Sequence, residues 1–474
     1  MYRFRTIENL LGKNKELENQ EIYFAAQEQL NDPMEGFLDI FWQGDKIVWN
    51  NLLKHYLMCL ETVYFSNLFE IKKTTISLND IPVYNHQNQH RTDKRKQMFD
   101  EIEKKFNRFQ FIKKLPEYLS KKNEQTRRNQ LLCYLRSVHI YAVDSISFVY
   151  KNHSFLNPLF HKKKFKNLSD FSKANIELIK LINSYESNNI DELQFENIAL
   201  SITNKTFHEY DLFIAQKNKG TNINNNFKFI LYEFSEAYIS RLESIAYPKW
   251  YTACFMSECS NSSVWGHYGD KHSGICLKFK TKTVENKIQL DLNTIYGCNE
   301  NGDIIGMRPH TFHKVNYENK HVEIDFFKSL GRLPVYQLRY QWYTDQEGNI
   351  SSCADPINKD EEKNKVWLDH YWLNFKNGAT TKLKDWEYEN EYRLLINDML
   401  HDYETPEKRK LKYDFIDLEG IIFGIKTPTS DKIKIIEIIN QKCEEYDRTD
   451  FHFYQAYYSK ETGNINYKKL NLNL

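Results

Sequence analysis

Glu387, Glu389, Glu391 and Arg393 occupy every second position of the stretch WEYENEYRLL, residues 386–395. In an extended strand successive side chains point to opposite faces, so these four line one side and Tyr388, Asn390, Tyr392 and Leu394 the other. Three carboxylates on one face repel one another, and a developing positive charge or a bound cation between them would hold them together. One carboxylate can stabilise an oxocarbenium-like cation while a second, two residues away, positions or deprotonates an acceptor. Glu389 and Glu391 supply that pair, with Arg393 reducing their repulsion. The plainer alternative is an exposed strand face with cross-strand Lys or Arg partners, each worth little.

Two further stretches carry chemistry. In SVWGHYGDKHSGICLKF, residues 263–279, His267 and His272 flank Tyr268, Gly269 and Asp270. Two histidines five apart lack the third assured ligand that a metal site needs. The competing structural role is that Trp265 and Tyr268 plug the core while His267 satisfies buried backbone groups. In MYRFR, Arg3 and Arg5 share a strand face opposite Tyr2 and Phe4, and a guanidinium fork suits a phosphate or carboxylate. In NDPMEG, Asn31 and Asp32 are expected to cap a helix that Pro33 begins.

These residues sit in a chain of 474 residues with 65 Lys plus Arg, 64 Asp plus Glu and a formal charge of +1. That length allows one large domain or two to three ordinary ones, and the balance excludes a global field for nucleic acid or acidic membranes. Aromatic residues make up 15% of the chain, which argues for packed cores. The eight cysteines form no close CxxC pair, so reduced, buried thiols are expected rather than zinc. No signal-peptide pattern and no membrane-length apolar run is present, so no membrane partner and a cytoplasmic location are expected.

The elements that must position the site follow from periodicity. MYRFR reads as a strand, TIENLLGKNKELENQ as helical and EIYFAA as a strand again. FLDIFWQGDKIVWNNLLKHYLMCLETVYFSNL reads as a buried helix. Residues 86–245 carry amphipathic helical patterns, among them MFDEIEKKFNRFQFIKKLPEYL, QLLCYLRSVHIYAVDSISFVYKN and NIELIKLINSYE. Residues 90–128 hold thirteen Lys or Arg against six Asp or Glu, followed by HKKKFK, a pattern more typical of solvated helix faces than of a phosphate surface. KNKGTNINNNF reads as a loop. WYTACFMSE, SGICLKFK, EYRLLIN and LEGIIFGI read as strands, residues 297–308 as a hinge or loop, and SDKIKIIEIINQKCEEY as a closing helix capped by Ser430 or Asp431. The expected architecture is α+β: a compact split β-sheet core with flanking helices, residues 1–85 and 248–474, interrupted by a large all-helical insertion, residues 86–247. Strands far apart in sequence must share a sheet, and any homo-oligomer is expected to form through the insertion.

YRFR, IYFAAQEQLNDPMEGF, CFMSECSNSSVWGHYGDKHSGICLKF, TKLKDWEYENEYRLLI and LEGIIFGI, in that order, resemble the bacterial family known as domain of unknown function 2971. The resemblance covers roughly the first 45 residues and much of 250–425. Leu30 stands where the family has an aromatic before Asn-Asp-Pro, and Val264 where Met is common before the Trp; neither position should bear chemistry. The family's layout is similar in order and residue type to NAD-splitting folds of the ADP-ribosyltransferase kind.

That similarity implies NAD as substrate, with no metal. It assigns Glu389, Glu391, Arg393 and His267 to catalysis and Tyr2, Arg5, Asn31, Asp32, Trp265, Tyr268 and His272 to cofactor binding. Arg5 would hold a phosphate, Tyr268 would stack on the nicotinamide, and Asn31 and His267 would orient. The implied role is a toxin or phage-defence effector with a nucleic-acid or protein acceptor. A metal-dependent nuclease is the second reading, with Asp32, Glu35 and the 387–391 carboxylates on Mg²⁺ and Lys382 and Lys384 on the phosphate backbone. A non-catalytic sensor or binding module is the third.

Overall fold

The computed structural model describes residues 1–69, 75–85, 92–154 and 225–472 apart from 301, 358, 359 and 400, with single helical positions at 201, 205 and 212. The helix expected in NIELIKLINSYE, the HKKKFK run and most of KNKGTNINNNF lie outside those residues. The architecture is mixed α+β, with several open sheets and a helical region over about residues 93–152. The chain divides into two compact units, one made of Met1–Leu38, Pro248–Val322 and Leu373–Leu474, the other of Asp39–Tyr247 and Glu323–Trp372.

The first unit is built on a nine-stranded sheet. Along it run His313–Lys314, Glu391–Asn397, Trp250–Met256, Tyr2–Arg5, Ile275–Phe279, Leu418–Phe423, His452–Tyr458 and Ile465–Lys469, and Ala25–Ala26 pairs separately with Trp250–Met256. The N-terminal strand therefore lies between strands from far along the chain: Tyr2 faces Met256 on one side and Lys278 on the other. Neighbouring strands are antiparallel except Leu418–Phe423 and His452–Tyr458, which are parallel and joined through the helix Thr429–Glu445. That crossover is what a parallel pair requires. The helix starts one residue after Pro428, so Ser430 and Asp431 fall inside its first turn instead of capping it. Asp431 there favours the positive end of the helix dipole.

Side-chain alternation gives the sheet two working faces. Tyr251, Ala253, Phe255, Ile275, Leu277, Leu394 and Ile396 join one core together with Ile22, Leu292 and Leu411 of a second sheet, in which Glu21–Tyr23, Lys410–Tyr413, Lys287–Asn299 and Gly302–Thr311 lie side by side, and with Ile435 and Ile439 of the closing helix. Met256, Cys276, Phe4 and Ile422 join a smaller core on the other face with Val264 and Trp265. Glu391 pairs with Met256 and Arg393 with Cys254, which places both charged residues on the Trp265 face. Arg3 pairs with Leu277 and Arg5 with Ile275, which places both arginines on the opposite face.

Two expectations change in this unit. Residues 297–308 are no hinge: Lys287–Asn299 and Gly302–Thr311 form a long antiparallel ribbon with a register shift at Ile304/Ile305. Gly302 supplies the turn with φ +114°, open to glycine because it has no Cβ. The helix expected from Pro33 is also absent. Residues 31–36 are turns, and Asp32 accepts from the Met34 N–H at 2.9 Å.

The second unit is mainly helical, with Lys46–Phe69, Asp93–Phe106, Gln110–Lys121, Arg128–Asn152 and Phe234–Glu243. The long helix expected from residue 37 instead begins at Lys46, after the strand Leu38–Trp42, where Phe41 pairs with Arg127. Asp45 caps it, accepting from the Ile47 and Val48 N–H groups at 3.0 and 3.3 Å. Two helices carry π-type segments, Phe229–Glu233 and Leu338–Trp342.

Candidate active site

The acidic stretch is a strand only from Glu391. Lys384–Glu389 form a 3₁₀ turn, and Asn390 takes a left-handed conformation with φ +46° before the strand begins. Asn tolerates that region better than most residues. Alternation therefore does not bring Glu387 and Glu389 onto the Glu391 face, and Glu387 is exposed. The kink does bring Glu389 and Glu391 together by another route, around the ammonium of Lys382.

Lys382 lies on the short strand Thr381–Leu383, parallel to Asn316–Glu318 and paired with Tyr317. Its Nζ donates to Glu389 Oε2 at 2.8 Å and Glu391 Oε2 at 3.4 Å, and Glu35 Oε2 lies 3.7 Å away. Arg393 donates from Nε and Nη2 to Glu391 at 2.9 and 3.2 Å, from Nη1 to the Ala379 carbonyl at 2.6 Å, and pairs with Glu35. Tyr268 donates to Glu389 Oε1 at 2.8 Å, and the Glu391 N–H donates to the Tyr317 hydroxyl at 3.0 Å. Lys382, Glu389, Glu391 and Arg393 are only 3, 2, 1 and 0% exposed. A buried charge cluster survives only when its members neutralise and hydrogen-bond one another.

The charges do not balance as drawn. Glu35, Glu389 and Glu391 carry three formal negatives against the two cations, and Asp32 adds a fourth within reach of Arg393. A bound proton offsets part of the excess: burial pushes the Glu391 carboxyl up to about 7, against the pull of Lys382 and with the help of Glu389. Burial works against the Lys382 charge, but Glu391 and Glu389 more than compensate and its pKa rises. Burial lowers Arg393 to about 9, and Asp32 opposes that. Burial also raises the Tyr268 hydroxyl, and Glu389 and Glu391 add to it, so the phenol stays a donor.

Local sequence explains each placement. Asn261 caps the helix Ser262–Tyr268, accepting from Ser263 and Val264, and its amide donates to the Tyr388 carbonyl at 3.0 Å, tying that helix to the acidic segment. Residues three apart on a helix share a side, so Trp265 enters the core against Phe4 while Tyr268 reaches Glu389. His267 is exposed and meets the Tyr388 hydroxyl at 3.0 Å, with Trp386 beside both rings. The Lys382 ammonium sits 4.6 Å from the Trp386 ring. Glu35 is fixed by the Asp32 turn and by Gly36, whose φ of +73° and close approach to Trp250 admit no side chain.

The structure thus gathers Glu389, Glu391, Arg393, Tyr268, Trp265 and Tyr2 on one sheet face, with Asp32 acting on Arg393 and His267 at the rim. Tyr2 meets the Tyr467 hydroxyl at 3.2 Å. Arg5 is not part of this group. It lies on the other face, where its fork is held by buried Glu16, with Nε donating at 2.7 Å, so its expected phosphate is replaced by an internal carboxylate. Asn31 is exposed in its turn. His272 lies in a run of three left-handed residues, Asp270 to His272, where its carbonyl accepts from the Lys426 N–H. Sequence reasoning left out Tyr317 and Cys254, whose thiol hydrogen-bonds the Glu391 carboxylate, and gave Lys382 and Glu35 only a nuclease role. Lys382 stands in the same stretch as the acids, seven residues before Glu389, and that proximity was the available signal.

Residues 264–394 match the family model described as Protein of unknown function (DUF2971). The family resemblance holds over that segment. It contains Trp265, Tyr268, Lys382, Glu389, Glu391 and Arg393, and the description assigns them no activity. No curated protein and no solved structure matches the chain. Among the described residues no helix is long and apolar enough to cross a membrane, and no three His, Cys, Asp or Glu side chains are grouped to hold a metal.

Proposed function

We propose that this chain cleaves the N-glycosidic bond of a nucleotide, with NAD as the substrate, in the manner of an ADP-ribosyltransferase or NAD glycohydrolase. The observation that carries the reading is the pairing of Glu389 with Glu391, whose proton affinity is raised to about 7, around one lysine. Burial raises Glu391 toward neutrality while Glu389 is held by Lys382 and Tyr268, which divides an acid–base role from an electrostatic one. As the C1′–N bond breaks, its electron pair leaves with nicotinamide and neutralises the pyridinium. Glu389 faces the cation left on the ribose. The acceptor oxygen adds to C1′ and gives its proton to Glu391, a base well matched to neutral pH. The rim aromatics Trp386 and Tyr388, with His267, offer a stacking surface for the nicotinamide ring.

Both Glu389 oxygens are already occupied, by Tyr268 and Lys382. Substrate must therefore displace the Tyr268 hydroxyl. The bacterial setting, and with it a toxin or phage-defence role on a nucleic-acid or protein acceptor, comes from the family resemblance and adds a growth readout. The same burial favours a second reading, in which the cluster is a structural ion network that pins the Lys382 strand to the sheet. A nuclease needs these carboxylates around Mg²⁺, yet they are paired with Lys382 and Arg393.

Purified chain incubated with NAD separates the two. Nicotinamide release that disappears in folded Glu389→Gln and Glu391→Gln variants, together with growth arrest by the wild type alone, supports the enzyme. No release by the wild type, with both variants merely less stable, supports the structural network.

A further inference from the structure

We infer that the helical unit holds a separate binding site for a nucleoside phosphate whose base carries an exocyclic amine. A cavity of about 590 Å³ lies between the start of the helix Lys46–Phe69, the junction of Asp93–Phe106 with Gln110–Lys121, and the segment Tyr340–Glu347. That size falls within the range of small-molecule sites.

Its polar groups are unequally engaged. Lys54 is paired with Glu103 at 3.0 Å, and Asp345 is used by its own turn, accepting from the Asn349 N–H at 2.7 Å and its amide at 2.8 Å. Among the described residues neither Lys46 nor Lys113, both exposed at the lining, forms an ion pair. Two ammonium groups at the rim, neither held in an ion pair among the described residues, suit a phosphate. Glu347, also exposed in the lining, opposes them, and Glu117 acts on Lys46 from the neighbouring helix.

The interior supplies the second half. Gln341 belongs to the π-type segment Leu338–Trp342, and such segments recur at functional sites. Its amide nitrogen donates to the Asn85 carbonyl at 3.3 Å, which fixes the orientation of the amide, and its Oε1 is then a buried acceptor with no partner. A buried acceptor without a donor calls for one. Phe106, Leu57 and Met58 add apolar lining for a flat ring. An amine on the ring edge meets Gln341 Oε1 while the phosphate reaches Lys46 and Lys113. This assignment does not depend on the carboxylate cluster of the other unit.

AMP and IMP are the probes, since they differ where the base carries an amine or a carbonyl. Calorimetric titration of the full chain should show AMP binding at least about tenfold tighter than IMP, because a site built for a donor rejects a ligand lacking it. Gln341→Leu should abolish that preference, and Lys113→Glu should weaken both nucleotides. Each variant is checked for an unchanged circular-dichroism spectrum, and Glu389→Gln serves as a control that should bind AMP normally. No AMP binding at millimolar concentration, equal affinity for AMP and IMP in the wild type, or binding indifferent to Lys113→Glu overturns the proposal.

Discussion

Tyr268 and Glu389, 121 positions apart in the chain, are joined by a 2.8 Å hydrogen bond from phenol to carboxylate, and Lys382 occupies the carboxylate's other oxygen. The bond ties the helix Ser262–Tyr268 to the acidic segment. Tyr268→Phe keeps the ring and removes the donor, leaving Glu389 Oε1 desolvated. The expected loss is about 1–3 kcal/mol, the range for an unsatisfied buried group, read from urea unfolding of wild type and variant. An unchanged midpoint would show that the bond adds nothing.

Glu391 makes stability depend on pH in a defined direction. Its carboxyl titrates at 4.5 when unfolded and at about 7 when folded. Between those values the folded chain keeps a proton that the unfolded chain has lost, so this group's contribution is fully present below 4.5 and is lost as pH rises through about 7. Glu391→Gln cannot titrate. It should show a flatter stability profile than wild type over that window. Unfolding free energies at a series of pH values decide it, and a parallel offset between the two profiles would remove Glu391 as the titrating group.

In the proposed NAD cleavage the same group sets the expected pH dependence. As a general base Glu391 works only when deprotonated, so nicotinamide release should rise as pH passes through about 7 and level off above it. Initial rates at saturating NAD across that range give the test. A rate that falls over the same interval assigns Glu391 the opposite role, that of proton donor.

Much of the sheet was legible in the sequence, because MYRFR, WYTACFMSE, SGICLKFK and LEGIIFGI alternate or run apolar and each became a strand. The placement of Glu389 and Glu391 near Arg393 and Tyr268 was also anticipated, though by a uniform strand that the left-handed Asn390 interrupts. Register is what the sequence withheld. Pairing Arg5 with Ile275 and Arg393 with Cys254 puts the two arginines on opposite faces, and a period of two cannot say which face of one strand matches which face of another. Residues 297–308 read as a hinge or loop because Gly, Asn and charge mark the turn and solvated faces of the ribbon there more strongly than its few apolar residues mark its strands.

The helical unit should be acid-sensitive for the reverse reason. Burial holds His55 and His139 down to about 4, against backbone hydrogen bonds, and each ring meets a tyrosine hydroxyl at 2.7 Å, Tyr238 and Tyr56 respectively. As pH falls from 6.5 toward 4 the unfolded chain takes up protons that the folded unit refuses, so stability present above 6.5 drains away. His55→Gln should flatten that fall, and acid unfolding followed by tryptophan fluorescence would show it as a transition less steep than wild type.

Arg5 offers the cleanest contrast with the carboxylate cluster, since its partner Glu16 is buried and lies across the sheet from Glu391. Arg5→Met removes the cation while keeping much of the stem, and leaves the Glu16 carboxylate buried without its partner. Breaking a buried pair in this way costs about 3–5 kcal/mol, so a marked drop in the thermal midpoint is expected. Because the guanidinium is on the wrong face to reach a nucleotide beside Glu389, the KM for NAD of the variant that remains folded should stay at the wild-type value. A stability close to wild type combined with a raised KM would return Arg5 to the phosphate-binding role that its position on the first strand had suggested.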